Sequence, residues 1–271
     1  MPELPEVETS RRGIEPHLLD QKITDFIIRD HRLRWPVPGS LKTEATDQKI
    51  CSVKRRGKYI LIETTAGTII LHLGMSGNLK ILPTDTPPQK HDHVDIILSN
   101  HQCLRFHDPR RFGVCLWTKD DPLKHALLQK LGPEPWDQDF NASMLYKRSR
   151  KRKIAIKNFI MDSKIVVGVG NIYANEVLFE SGIRPDVSAG KISLKRYESL
   201  VETIRKILEK ALEQGGTTLR DFTNSSGLPG YFKQELAVYG REGEPCLKCQ
   251  ELIRNKVIGQ RSSFYCRKCQ R

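Results

Sequence analysis

Leu131-Gly132-Pro133-Glu134-Pro135 divides the chain into two kinds of sequence. A glycine and two prolines in so short a span interrupt both helix and strand ladder, so regular structure must stop there. Upstream lie short β-branched or alternating runs at 23–28, 58–63, 68–73, 94–98, 103–107 and 113–118. Turn chemistry separates them: Thr65-Ala66-Gly67, the proline-bounded stretch 83–88, and Ser99-Asn100. Their spacing is that of a sandwich or barrel. One helix is predicted ahead of them, over 6–19, interrupted or capped by Pro16. Downstream the period changes. Leu194, Tyr197, Leu200, Val201, Ile204, Ile207, Leu208 and Ala211 fall at helical spacing behind Ser193, a candidate N-cap. Further helices are predicted at 142–148, 154–161 and 172–181, and the stretch 217–234 is polar and irregular. The predicted class is α+β, a β-rich half followed by a helical half and a small cysteine module.

Composition narrows the partner. Lys and Arg number 45 against 32 Asp and Glu, a net charge of +13 over 271 residues. That excess points to a polyanion, and to nucleic acid before membrane, because no apolar span of transmembrane length occurs. A generically basic protein would carry the same charge. Residues 2–8 are acidic and lack the apolar core of a secretion signal, so a cytoplasmic location is expected. Cys51, Cys103 and Cys115 are scattered in strand-like surroundings and read as small hydrophobes. The remaining four form Cys246-x2-Cys249, sixteen residues, then Cys266-x2-Cys269. Two such pairs suit two tight turns closing tetrahedrally on one structural zinc ion, with no open coordination position. Arg254, Lys256 and Arg261 lie in the intervening hairpin, where they could face phosphate.

The chemistry-bearing motifs begin at Met1-Pro2-Glu3-Leu4-Pro5-Glu6. With Met1 removed, Pro2 presents a secondary amine; an α-amino group titrates near ~8, against above ~10 for lysine, and so is partly nucleophilic at neutral pH. Glu3 and Glu6 are at hand for proton transfer. The same proline and acids equally suit the first turn of a helix with no chemistry at all. Gly168-Val169-Gly170-Asn171 opens a helical segment whose N–H groups suit a phosphate oxygen, or is simply a tight interhelical turn. Just upstream, Lys147, Arg148, Arg150, Lys151, Arg152, Lys153 and Lys157 form a basic run without one acid. It is either a solvated face or a nucleic-acid contact. Met75 in Gly74-Met75-Ser76-Gly77, and Arg110 and Phe112 in Asp108 to Gly113, occupy glycine-flanked turns. They read as wedges for a base stack or as edges of a core. Lys58 begins a strand as a surface lysine, a phosphate clamp or an acid/base group.

Taken together, seven motifs in order resemble the bacterial formamidopyrimidine-DNA glycosylase family. They are the N-terminal Pro-Glu-Leu-Pro-Glu-Val-Glu, Gly57-Lys58-Tyr59, His72 to Gly77, Lys90-His91-Asp92-His93, Asp108 to Gly113, Gly168 to Glu176 and the four-cysteine tail. The resemblance implies a bifunctional enzyme that removes 8-oxoguanine and ring-opened purines from damaged double-stranded DNA and nicks the strand by β,δ-elimination. It implies a β-sandwich with flanking helices (1–131), a helical domain with a helix-two-turn-helix motif and lesion-capping loop (132–236), and a zinc-finger hairpin (237–271). DNA would lie in the cleft between the sandwich and helical domains.

By the same resemblance Pro2 forms the Schiff base with C1′, Glu3 donates a proton and Glu6 is a second acid. Lys58 and Arg261 are the proton donors for β- and δ-elimination, or clamps on the flanking phosphates. Met75, Arg110 and Phe112 fill the gap left by the flipped base. His72, His91, Arg111, Asn171 and the Arg152-Lys153 region contact the backbone, and 217–239, with Gly227 and Gly230, holds the lid. A monomer with no membrane contact and no nucleotide cofactor is expected. The sister enzyme endonuclease VIII shares the fold and the Pro2-Glu3 chemistry but prefers oxidised pyrimidines; Leu4 and the long lid favour the purine branch. A non-enzymatic zinc-ribbon DNA-binding protein is the reading from a different class.

Overall fold

A computed structural model of the chain describes residues 2–215 and 236–271. The described chain forms two compact units, one built on residues 2–130 and the other on Leu131–Glu213 together with the C-terminal cysteine module.

In the first unit α1 (Leu4–Leu18) precedes β1 (Ile23–Ile28), α2 (Ser40–Ala45), β2 (Ile50–Arg56), β3 (Tyr59–Thr64), β4 (Thr68–His72), β5 (Asn78–Pro83), β6 (Asp92–Leu98), β7 (Gln102–His107) and β8 (Val114–Thr118). The strands make two antiparallel four-stranded sheets, ordered β1-β6-β7-β5 and β2-β3-β4-β8. One core joins them. Phe26, Val94, Ile96, Leu104 and Phe106 come from the first sheet, Val53, Ile60, Ile62, Ile69, Leu71 and Trp117 from the second, and Val7, Ile14 and Leu18 from α1. This is the expected sandwich with a flanking helix. Pro16 neither breaks nor caps α1, because it lies in the last turn, where its missing N–H removes a single terminal bond.

Three elements were not expected. β2 carries a bulge between Ile50 and Ser52, so its apolar residues lose the alternation that marks a half-buried strand. β5 is an edge strand that ends in a proline, and α2 is only six residues long.

The second unit contains α3 (Ala142–Ser149), α4 (Ile156–Met161), α5 (Asn171–Glu180), α6 (Leu194–Glu213) and the hairpin β9 (Arg254–Ile258) and β10 (Arg261–Tyr265). Tyr197, Leu200, Val201, Ile204, Leu208 and Ala211 of α6 are buried against α3, α4 and α5, including Tyr173, Val177 and Phe159. The Ser193 Oγ accepts the Arg196 N–H at 3.4 Å, as an N-cap does. A separate small cluster of Phe179, Val238, Cys246, Ile253 and Cys266 forms the base of the cysteine module.

Candidate active site and nucleic-acid interface

Pro2 is buried immediately before α1. Glu3 and Glu6 are buried beside it, 1% and 0% exposed. Glu6 Oε2 accepts the backbone N–H of Glu3 at 2.8 Å, half of a capping box that fixes how the chain leaves Pro2. Glu6 thus serves the helix start that the bland sequence reading foresaw, whatever else it does. The start of α1 places two buried carboxyl groups within four residues of Pro2.

Lys58 sits in the two-residue turn between β2 and β3, after Gly57 at φ +58°. Across the strand pair Tyr59 and His72 are partners, with ring centroids 4.7 Å apart. His72 Nδ1 accepts the Gly74 N–H at 3.0 Å, which leaves the proton on Nε2 as a donor suited to a phosphate oxygen. Burial, then the positive charges of Lys58 and Arg34, push the His72 pKa down to about 4, so the ring stays neutral at physiological pH. Arg34 had no role in the sequence reading. It is exposed, and its N–H donates to Gly113 O at 3.2 Å, which brings it to the same edge of the sandwich.

Met75, Arg110 and Phe112 come together on two adjoining turns. Gly74 has φ +63°, and a Cβ there would stand 2.5 Å from the Phe112 carbonyl carbon, so only glycine lets the turns approach so closely. Phe112 is 44% exposed, and the Arg110 guanidinium lies 5.5 Å from its ring centroid. Asp108, fully buried, organises the loop. Its carboxylate accepts from Gly113 N at 2.7 Å, Arg110 N at 3.3 Å and Ser76 Oγ at 3.3 Å, while its carbonyl accepts from Arg111 N and His93 Nε2. Arg111 pairs with Asp30 at 2.6 Å. His91, at φ +81°, lies 6.3 and 6.1 Å from the rings of His93 and His107. Partial desolvation, then Lys90 and these histidines, lower its pKa.

In the second unit the basic run divides by function. Lys151, Arg152 and Lys153 are exposed. Arg150 instead stacks 3.8 Å over Tyr146 and donates to Ile192 O, and Arg148 donates to Lys164 O. Lys157 is fully buried, its Nζ donating to Ser262 O at 2.8 Å and Ser263 Oγ at 2.6 Å. These three charges therefore hold the unit together. Asn171 at the start of α5 donates its amide to Ser262 O at 3.2 Å, next to the exposed Arg261. Glu176 received no role from sequence, yet its buried carboxylate accepts the N–H groups of Ala237, Val238 and Tyr239 at 2.7, 3.0 and 2.8 Å. Burial raises its pKa despite these bonds. Of the lid segment, residues 217–235 lie outside the described residues.

The sulfurs of Cys246, Cys249, Cys266 and Cys269 all lie within 4.8 Å of one another. The separations 3.9 Å for Cys246 to Cys269 and 3.5 Å for Cys249 to Cys266 bracket the ~3.8 Å edge of a tetrahedron with metal–sulfur bonds of about 2.3 Å. The Lys248 N–H also points at Cys246 Sγ, as expected where a thiolate ligand is hydrogen-bonded. The four cysteines can hold a metal ion. Among the described residues, no helix is long and apolar enough to cross a membrane.

Residues 1–115 match the formamidopyrimidine-DNA glycosylase N-terminal domain, and 131–223 match the formamidopyrimidine-DNA glycosylase H2TH domain. Formamidopyrimidine-DNA glycosylases from Syntrophotalea carbinolica and Alteromonas mediterranea are 56% and 57% identical to the chain, over the whole of each protein. The crystal structure of the MutM (Fpg) protein from Thermus thermophilus superposes with a TM-score of 0.89 at 34% identity, covering 99% of this chain and 98% of that one. Lactococcus lactis Fpg in complex with DNA containing an abasic site gives 0.92 at 33% identity over all of both chains. The order of motifs, the sandwich, the helical unit and full-length relatives agree: the chain belongs to the formamidopyrimidine-DNA glycosylase family.

Proposed function

We propose that the chain excises oxidised purines, 8-oxoguanine and formamidopyrimidines, from duplex DNA and then cuts the strand, with Pro2 as nucleophile. The observation that supports this assignment is the burial of Pro2 and Glu3 together at the start of α1. The Pro2 nitrogen, freed by removal of Met1, attacks C1′ of the extruded nucleotide. Its lone pair forms the new C–N bond and the glycosidic electron pair leaves with the base, which takes up the proton that the nitrogen gives up. The C1′–O4′ bond then breaks, Glu3 supplying the proton to O4′, and the opened sugar is left as an iminium on Pro2. The resulting iminium acidifies C2′–H. Loss of that proton breaks the C3′–O bond, and Lys58 gives a proton to the departing phosphate. A second elimination releases the 5′ phosphate, with Arg261 as donor.

Flipping the base costs a few kcal/mol. Met75, Arg110 and Phe112 offset part of it by filling the vacated stack, while neutral His72 together with His91, Arg111, Arg152, Lys153 and Asn171 binds backbone. The four cysteines hold zinc, which supplies no chemistry at the sugar; it staples a hairpin too small to fold on its own core, and so presents Arg261. Nucleophile, acids and wedge all come from one chain, so a monomer suffices, and an imine needs no nucleotide cofactor. The substrate places the enzyme in the cytoplasm with the bacterial chromosome.

The deciding experiment compares the processed protein with a form engineered to keep Met1. Borohydride should trap the processed protein on abasic duplex and leave the Met1 form, whose Pro2 nitrogen is an amide, without adduct. An adduct of equal yield from both would remove Pro2 as nucleophile.

A further inference from the structure

The catalytic assignment leaves a cluster of half-buried charge on α1 without a role. Glu8 is on α1, five residues after Glu3, and its carboxylate takes Arg11 at 3.0 Å, Arg12 at 2.9 Å and Arg55 at 3.1 Å. The Glu8 and Arg55 side chains are each only 13% exposed. Arg55 is the next-to-last residue of β2. Its Nε holds Glu8 while its Nη1 donates to Gly57 O at 3.0 Å. That carbonyl belongs to the peptide unit whose nitrogen is that of Lys58. Arg11 makes a second strap, donating to Val53 O at 3.0 Å.

We propose that Arg55, held by Glu8, is a positioning residue that fixes the Lys58 turn to the helix carrying Pro2. The proposal rests on the roles given above to Pro2 and Lys58. A two-residue hairpin turn needs no charged support to exist, and an apolar pair in the same place would stabilise the sandwich as well or better, because burying an ion pair costs much of what it returns. The bridge adds direction. A guanidinium binds two acceptors in fixed geometry, so one side chain ties a carboxylate of α1 to the peptide bond before Lys58. Pro2 and Lys58 must act on the same sugar in succession, and the bridge sets the distance between their backbones before DNA arrives.

Arg55→Lys separates this role from simple stability. Lysine keeps the charge that faces Glu8 but cannot reach both Glu8 and Gly57 O. On a duplex with a preformed abasic site, borohydride trapping reads the Pro2 step and single-turnover nicking reads the Lys58 step. Nicking is normalised to the trapped fraction, so unfolded protein drops out of the comparison. Trapping should stay within about twofold of the wild type while normalised nicking slows by about tenfold to a hundredfold, the effect of an ångström-scale misplacement. Glu8→Gln should shift the same ratio in the same direction, and by less. Unchanged normalised nicking in both variants, or trapping and nicking that fall in parallel, would overturn the positioning role. Absence of an adduct from the wild-type protein itself would instead remove the Pro2 assignment on which the role depends.

Discussion

Lowering the pH from 7 to 5 should destabilise the sandwich unit through His72, and the size of the effect can be worked from its surroundings. In the unfolded chain this histidine titrates near ~6.5. In the folded unit, burial and the charges of Lys58 and Arg34 bring it to about 4. Between those values the unfolded chain binds a proton that the folded one refuses, so stability is complete above the unfolded pKa and declines as pH falls toward 4. The gap corresponds to about 2 kcal/mol lost from pH 7 to pH 5. Water at the outer edge of the ring trims this to about 1–2 kcal/mol, or a melting shift of roughly 3–8 °C. The change of pH acts on the rest of the chain as well, so the comparison must be made with His72→Asn, whose Oδ1 can still accept the Gly74 N–H. Thermal melts at both pH values should show a larger fall for the wild type than for the variant. Equal falls would mean that His72 is no more reluctant to protonate in the fold than outside it, and its assignment as a neutral phosphate donor would fail with it.

Gly74→Ala should cost about 1–2 kcal/mol for the left-handed backbone and a further ~1–3 kcal/mol for the contact with Phe112. A urea midpoint within error of the wild type would show that the two turns are not packed as described. Chelation at neutral pH, or Cys249→Ala, should release one zinc per chain and abolish binding to abasic duplex by unfolding the hairpin; unchanged affinity after verified metal loss would make the module dispensable.

What could be read in the sequence followed the strength of local signals. Each of the six periodic runs of the first half coincides with a strand now seen, overrunning it by at most one residue, and α6 contains every apolar residue of the helical pattern behind Ser193, because each presents a clear face to a core. The four cysteines declared their own proximity by spacing alone. Residues whose meaning depends on distant partners were not legible. Arg105, in a strand that reads as ordinary alternation, is 2% exposed and pairs with Asp95 at 2.8 Å while donating to Thr86 O and Pro87 O. Lys157 looked like one more member of a basic run, but its acceptors are more than a hundred residues further along the chain. A buried charge and a solvated one are spelled identically, and only the fold supplies the partners that distinguish them.

The arrangement around Asp108 shows why such partners matter for function rather than for stability alone. A residue that fills a vacated base stack gains nothing if it must first be ordered, since the cost of fixing its loop would be taken from the energy available to hold the base out. Through its side chain and backbone, Asp108 bonds Gly113, Arg110, Arg111, Ser76 and His93, and its own N–H donates to His91 O at 3.0 Å. The proposed wedge and two of the proposed phosphate contacts, Arg111 and His91, are therefore parts of one rigid piece. An enzyme so built pays its ordering entropy when it folds, and the free energy of gripping the backbone can be directed into opening the stack.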